Sequence, residues 1–587
     1  MPAMWSSLNI FAALALVPLS AAFNNPPGVD IWCGKAYRAT NASFNPGGWF
    51  EEPSYSATPL LNLKVRPRMS IYLSNDPSGS LLVDTGVSHR IGDPLPSTAT
   101  ASSNHSTQAL HLHIEISDTN GTAITFFTNY TLPLDTRNNE IPIPLQDLPA
   151  QLQPYTVTVH ATLRSPNTTT PNPATFTKST SLYRLPRRTD GGSATRIDKL
   201  YGGLAYQTSS EEMWTSIFPY TYYAQWTLYW DTSPTTLTTF TAQNYNVIHI
   251  VPTGALSTTT NAYPWTTLDP YLTLADKTNL KFQYDLLFSA TNTSTMLNQA
   301  QTLHTHPSLL LWYLADEPDG KATPPSTLST AYTTLKTLDP YHPVSLALNC
   351  ANFYYEDYAA AADIILSDVY PVATNTSWSS VYDTPCNATY GCCGCDDCLG
   401  RFEDISTRLD TFQQFDEVVG WEKVHWAAPQ AFGNETFWTR YPSPEEEAVM
   451  NLLSVNHGAM GVVMWDFPTS QEISEVTGRL AAVVTSAEIT GFLVGVERRR
   501  VKVGGEGAAR VDAAAWVDFT AKRALVSVVN LKYEDTTAEV VAGGLDWEVK
   551  AVEKVVWGEV QWRVEGEKLV VNHLDGLEVS LVIVELR

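Results

Sequence analysis

Asp316 and Glu317 stand side by side in "LLLWYLADEPDG", directly after an apolar run from Leu309 to Leu314. Acids at the edge of a core are costly, because burial disfavours the charged form. A carboxyl half-shielded by aromatics such as Trp312 and Tyr313 is expected to hold a proton near neutral pH and to deliver it to a leaving oxygen. Cleavage of an acetal needs such an acid, plus a second carboxylate or its equivalent to stabilise an oxocarbenium-like transition state. Asp368 in "SDVYP" and Asp466 in "MWDF" also end apolar runs and could act as general base or nucleophile. Aromatics crowd the same positions, among them Tyr220, Tyr222, Tyr223, Trp226, Tyr370, Trp465 and Phe467. Tyr313, Tyr370 and Trp465 are the candidate platforms for an apolar ring face, with Gln225, Gln430 and Asp466 as candidate polar contacts.

The elements that must position these groups read as strands alternating with helices across residues 195–494. Candidate strands are "SIFPYTYYA" from Ser216, "NVIHIVP" from Asn246, "KFQYDLLF" from Lys281 and "LLLWYLAD" from Leu309. The series continues with "VSLALN" from Val344, "DIILSDVYP" from Asp363, "KVHWAAPQA" from Lys423 and "GVVMWDF" from Gly461. Between them Leu328, Tyr332, Leu335 and Leu338 share one helical face, and Ser443-Pro444-Glu445-Glu446 is a capping box with Pro at the first helical position. Eight such units predict an α/β fold, a (β/α)8 TIM barrel with its chemistry at the C-terminal strand ends. A miscount of one strand would leave an open α/β sheet.

Residues 23–194 read as an N-terminal β-sandwich. "LHLHIEI" puts Leu110, Leu112, Ile114 and Ile116 on one face, and "YTVTVHATL" does the same with Tyr155, Val157 and Val159. The basic, Gly-containing "PRRTDGGSA" reads as the linker, and residues 495–587 read as a C-terminal β-sandwich packed on the barrel.

Asp316-Glu317-Pro318 at the end of the fourth predicted strand resembles the Asn-Glu-Pro of the (β/α)8 glycoside hydrolases whose acid/base Glu ends strand four. The resemblance covers the barrel and the flanking β-domains, and it implies that Glu317 is the proton donor. That clan carries its nucleophilic Glu at the end of strand seven, where this chain has Gln430, with Glu435 nearby inside the sequon at Asn434. The partner of Glu317 is therefore open among Asp316, then Asp368, then Asp466. Asp316 comes first because it must share the rim. The Asp-Glu pair also resembles that of substrate-assisted β-N-acetylhexosaminidases, in which the Asp orients the acetamido group of the substrate. A non-catalytic carbohydrate-binding protein that kept the barrel is the other alternative.

The net charge of −24 and pI near 4.8 argue against nucleic acid or an anionic membrane as partner. Residues 1–22 read as a secretory signal peptide, with an apolar run from Leu8 to Leu19 before Ser20-Ala21-Ala22. A secreted, extracellular glycoprotein is expected, with sequons at Asn41, Asn104, Asn120, Asn129, Asn167, Asn292, Asn375, Asn387 and Asn434. Of the seven cysteines, Cys386, Cys392, Cys393, Cys395 and Cys398 crowd one stretch, while Cys33 and Cys350 stand alone. Without an interleaved His, disulfides are favoured over zinc, the pairing stays open, and one thiol is left over. No zinc-protease, nucleophile-elbow, phosphate-loop or dinucleotide motif is present, so no metal or cofactor is expected. The expected state is a monomer acting on carbohydrate.

Overall fold

In the computed structural model of the chain, eight parallel strands close into a barrel. They are β1 (Tyr220–Gln225), β2 (Val247–Val251), β3 (Lys281–Asp285) and β4 (Leu309–Asp316), then β5 (Val344–Leu348), β6 (Ile364–Asp368), β7 (Val424–Ala428) and β8 (Val462–Phe467). One principal helix follows each strand: α1 (Thr235–Ala242), α2 (Trp265–Thr278), α3 (Thr293–Leu303), α4 (Pro325–Leu338), α5 (Tyr355–Ala359), α6 (Glu403–Val419), α7 (Pro444–Asn456) and α8 (Gln471–Val484). The structure describes residues 32–35, 47–96, 108–164, 173–256, 264–286, 289–381, 383–387, 390, 394–421, 423–504, 508–541, 547–566 and 568–587. The expected leader, the sequons at Asn41, Asn104 and Asn167, and Cys392 and Cys393 lie outside them.

The unbroken apolar run of β4 has a simple cause: both of its faces are buried. Leu311 and Tyr313 face the barrel interior, whereas Trp312 and Leu314 pack into the helix layer. The capping box of α7 is present, with Ser443 Oγ accepting from Glu446 N at 3.2 Å while the Glu446 carboxylate accepts from Ser443 N at 2.7 Å. Glu446 to Asn456 are all buried, because the C-terminal sheet covers the outer face of this helix.

Beneath the barrel, a three-stranded sheet of Ser193–Ile197, Leu204–Thr208 and Thr215–Ile217 closes the N-terminal end. Its Ile197, Leu204, Tyr206 and Ile217 join the interior cluster with Leu310, Trp426 and Val463. This sheet straddles the boundary expected at residue 195. The stretch expected as a linker is packed instead: Arg188 is buried, pairs with Asp190 at 2.6 Å and lies over the Tyr341 ring.

Two four-stranded antiparallel sheets precede the barrel and face each other across a shared core. Leu110, Leu112, Ile114 and Ile116 point inward, as the alternation predicts. After the barrel, a five-stranded and a four-stranded sheet enclose a core with Val526, Trp547 and Val582. The other face of the five-stranded sheet lays Trp516, Leu525 and Ile583 against the barrel helices. No helix among the described residues is long and apolar enough to cross a membrane. Asn120, Asn375, Asn387 and Asn434 are exposed.

Cys33 is bonded to Cys350, just beyond β5, and Cys395 to Cys398, while Cys386 is disulfide-bonded as well. The first bridge anchors an N-terminal strap on the C-terminal face of the barrel. Trp32 Nε1 donates to Asn349 Oδ1 at 2.6 Å, and Lys35 Nζ lies 2.6 Å from both Asp396 and Asp397. Further along, Phe50 N donates to Asn352 Oδ1 at 2.6 Å and the Phe50 ring meets Phe415 at 4.5 Å.

Candidate active site

β4 ends in a sharp turn. Glu317 takes a left-handed backbone conformation, φ 45°, which a non-glycine residue adopts at a cost of about 1–2 kcal/mol. The following Pro318-Asp319-Gly320 turns the chain back, and Lys321 N donates to Glu317 O at 3.0 Å. The Asp319 carboxylate holds the turn by accepting from the backbone N–H groups of Gly320 at 2.9 Å and Cys350 at 2.9 Å. The return places Lys321 over Asp316: its Nζ donates to Asp316 Oδ2 at 2.9 Å and to Asp316 O at 2.8 Å. Tyr313 OH donates to Asp316 Oδ1 at 2.8 Å and itself receives a bond from Tyr223 OH at 3.1 Å. Burial works against ionisation of Asp316, but the Lys321 charge and these hydrogen bonds outweigh it and hold the carboxyl below its usual range.

Glu317 stands the opposite way. Burial and then the Asp316 charge push its carboxyl up to about 8, against the moderating charge of Lys321. The carboxyl of Asp368, at the end of β6, lies within hydrogen-bonding reach of Glu317. Burial first, and the Glu317 charge next, raise Asp368 well above the ordinary carboxylate range. Two such groups in contact share a proton, since like charges at that distance cannot both ionise. Asp368 is 4% exposed, and its Oδ1 finds no donor among the described residues. The mouth stays open to solvent, with the side chains of Asp316 and Lys321 25% and 30% exposed.

The remaining expected residues divide by burial. Tyr370 lies beside the pair, its hydroxyl raised by burial and by the Asp368 and Glu317 charges, and its ring meets Phe432 at 5.1 Å. Trp465 is half-buried and meets the Tyr223 ring at 5.4 Å. Gln225 Nε2 donates to Asp466 Oδ2 at 3.2 Å, and burial raises Asp466 to about 7 with help from the Glu435 charge. Two expected contacts sit inside the fold. Gln430 is fully buried, with Oε1 accepting from Val372 N at 3.0 Å and Nε2 donating to Val372 O at 3.1 Å, so it clamps loops. Tyr313 is fully buried and reaches the mouth only through its hydroxyl on Asp316. Trp312, expected to shield the acids, faces the helix layer, where its Nε1 donates to Asp339 Oδ2 at 2.8 Å. Lys321 was not among the expected site residues, and Tyr223 was expected only as one of the aromatics at strand ends. The turn signal of Pro318 and Gly320 before a lysine was the available clue to the first. A separate 160 Å³ cavity lined by Tyr206, Ile217, Asn279 and Lys281 lies at the other end of the barrel and holds none of this chemistry.

No protein-family profile matches the chain, and no curated protein matches it in sequence. Solved structures do resemble it. A family 39 glycoside hydrolase from the gut symbiont Bacteroides cellulosilyticus WH2 is 13% identical, TM-score 0.42, covering 89% of this chain and 100% of its own. A maltogenic alpha-amylase from Thermotoga neapolitana is 11% identical, TM-score 0.41, over 62% of this chain and 99% of its own. An FMN-binding beta-glucuronidase from Facaelibacterium prausnitzii L2-6 is 10% identical, TM-score 0.31, over 83% and 72%.

Proposed function

We propose that this protein is a secreted glycoside hydrolase that cleaves O-glycosidic bonds in a polysaccharide or glycan, with Glu317 as general acid/base. One observation carries the reading: at the C-terminal mouth of a (β/α)8 barrel, Glu317 stands beside two further carboxyls, Asp316 and the buried Asp368, surroundings that push its own carboxyl up to about 8. Glu317 gives its proton to the glycosidic oxygen as the bond to the anomeric carbon breaks. Asp316, with its oxygens held by Lys321 and Tyr313, is a fixed negative charge that favours the positive sugar ring of the transition state. Asp368 shares the proton of Glu317; carboxyls that act from opposite sides of a sugar stand roughly 5–9.5 Å apart, wider than this contact, so Asp368 serves to hold that proton. Substrate assistance is less well supported, because the Asp316 oxygens that would orient an acetamido group are already bonded.

Replacing Glu317 with Gln tests the reading. Turnover on a responsive glycan should fall roughly 10²–10⁴-fold while binding persists. A protein that only binds carbohydrate has no turnover to lose, and a Glu317→Gln variant with full activity would remove Glu317 from the mechanism. N-terminal sequencing of protein recovered from the medium, expected to begin at Phe23, tests secretion.

A further inference from the structure

We propose that the cavity at the N-terminal end of the barrel binds a small oxyanion, either a tetrahedral ion such as phosphate or the carboxylate of a small acid, with the Lys281 ammonium as its anchor. The site lies at the opposite end of the strands from Asp316 and Glu317, so it goes beyond the glycosidase reading and stands or falls apart from it.

Lys281 is the first residue of β3 and pairs with Val247 of β2 at the base of the barrel. It is 4% exposed. A buried ammonium is costly unless a carboxylate or a set of acceptors meets it. Among the described residues, Lys281 Nζ makes no ion pair and no hydrogen bond, and lies instead 4.2 Å from the centroid of the Tyr206 ring. An aromatic face attracts a cation but leaves its N–H donors without acceptors. Glu211 and Asp276 act on the ammonium only through space, and burial outweighs both and lowers its pKa. Glu211 is held on its own turn, where it accepts from Thr208 N at 2.8 Å and from Thr208 Oγ1 at 2.9 Å. The ammonium is therefore short of counter-charge.

The space beside it suits a small ligand. The cavity measures about 160 Å³, and Lys281 lines it together with Tyr206 and Ser216 of the sheet beneath the barrel, Asn279 and Thr490. Tyr206 is within hydrogen-bonding reach of Asn279, and Thr490 Oγ1 donates to Val484 O at 3.1 Å, so these groups are already engaged. Ser216 is exposed, and its hydroxyl makes no bond to another described group. An oxyanion supplies acceptors and counter-charge together. A cation would meet the like charge of Lys281, and an apolar ligand would leave the ammonium unpaired.

Titration calorimetry of the full-length protein at constant ionic strength, with inorganic phosphate, sulfate and acetate in turn, tests this. At least one of the three should bind. Phosphate or sulfate without acetate assigns the cavity to tetrahedral ions, and acetate without them assigns it to carboxylates. Lys281→Met, which keeps the bulk of the side chain and removes the charge, should weaken binding at least roughly tenfold. Lys277→Met, an equal change of net charge at an exposed position nearby, should leave binding unchanged. Failure of all three ions to bind, binding that survives Lys281→Met, or an equal loss in both variants would each overturn the proposal. If Lys281→Met does not fold, labelling of the unaltered protein with an amine-reactive ester, mapped by mass spectrometry, decides instead. The bound ion should slow labelling of Lys281 several-fold relative to Lys277, and equal rates of protection at the two would overturn the proposal.

Discussion

Lys321 binds Asp316 at both the carboxylate and the backbone carbonyl, and it also lies close enough to Glu317 for its charge to matter there. It therefore divides labour between two adjacent acids: Asp316 stays ionised, and Glu317 keeps a proton but can still lose it. The pH dependence follows from the signs. Activity that needs protonated Glu317 is present below its raised pKa of about 8 and falls as pH rises through that value. Removing the lysine charge in Lys321→Met makes ionisation of Glu317 harder, so the alkaline limb of kcat/KM should move upward by roughly one pH unit. Removing the neighbouring negative charge in Asp316→Asn should move the same limb downward. A limb indifferent to both substitutions would assign the titration to some other group.

At the scale of elements, the site depends on the turn after β4 and on what buttresses it. Gly320 has no side chain because the Trp32 ring occupies the space, and a Cβ there would come within 2.6 Å of that ring. The strap carrying Trp32 is tied to the β5 end through Cys33–Cys350, whose cysteines are 317 residues apart in sequence. Gly320→Ala should lift Trp32 from its place, break the bond to Asn349 and cost roughly 1–3 kcal/mol as an overpacked contact. Thermal unfolding of the variant measures the loss, and trypsin should cut the strap faster. Unchanged unfolding and unchanged proteolysis would place Trp32 elsewhere. Glu317, three residues earlier, is held in its unfavourable conformation by its backbone bonds to Ala347 O at 3.1 Å and from Lys321 N at 3.0 Å.

Across the whole molecule, His457 at the end of α7 joins the barrel to the C-terminal sandwich. Its Nδ1 lies 2.9 Å from Asp410 Oδ1 of α6, and its Nε2 lies 3.0 Å from Asp512 Oδ2 in the strand Val511–Asp518. Arg498 and Arg500 also face this joint, the first donating to Asn456 O and the second pairing with Asp410. Burial disfavours the imidazolium, but the two carboxylates outweigh it and raise the His457 pKa. A raised pKa contributes stability in full below the unfolded value, about 6.5, and loses it as pH rises through the folded value. His457→Gln should therefore lower Tm by roughly 2–4 °C near pH 5.5 and by much less near pH 9. An equal loss at both pH values would mean that packing, not charge, holds the joint.

The eight barrel strands, the flanking sandwiches and the capping box of α7 were readable from the residues alone, because alternation, helical spacing and cap chemistry are local properties of a chain. The sequence also placed Asp316, Glu317, Asp368 and Asp466 at strand ends. Their roles were not readable, since protonation depends on burial and on neighbours: barrel closure buries Glu317 and brings Asp368 to it, while the turn after β4 folds Lys321 back onto Asp316. Orientation was equally hidden. In a strand buried on both faces, residue types do not say which face points inward, so the assignment of Tyr313 to the interior and Trp312 to the helices awaited the fold. The Cys33–Cys350 bridge and the sheet beneath the barrel had no local signature either, because they join segments distant along the chain whose proximity the closed ring of strands creates.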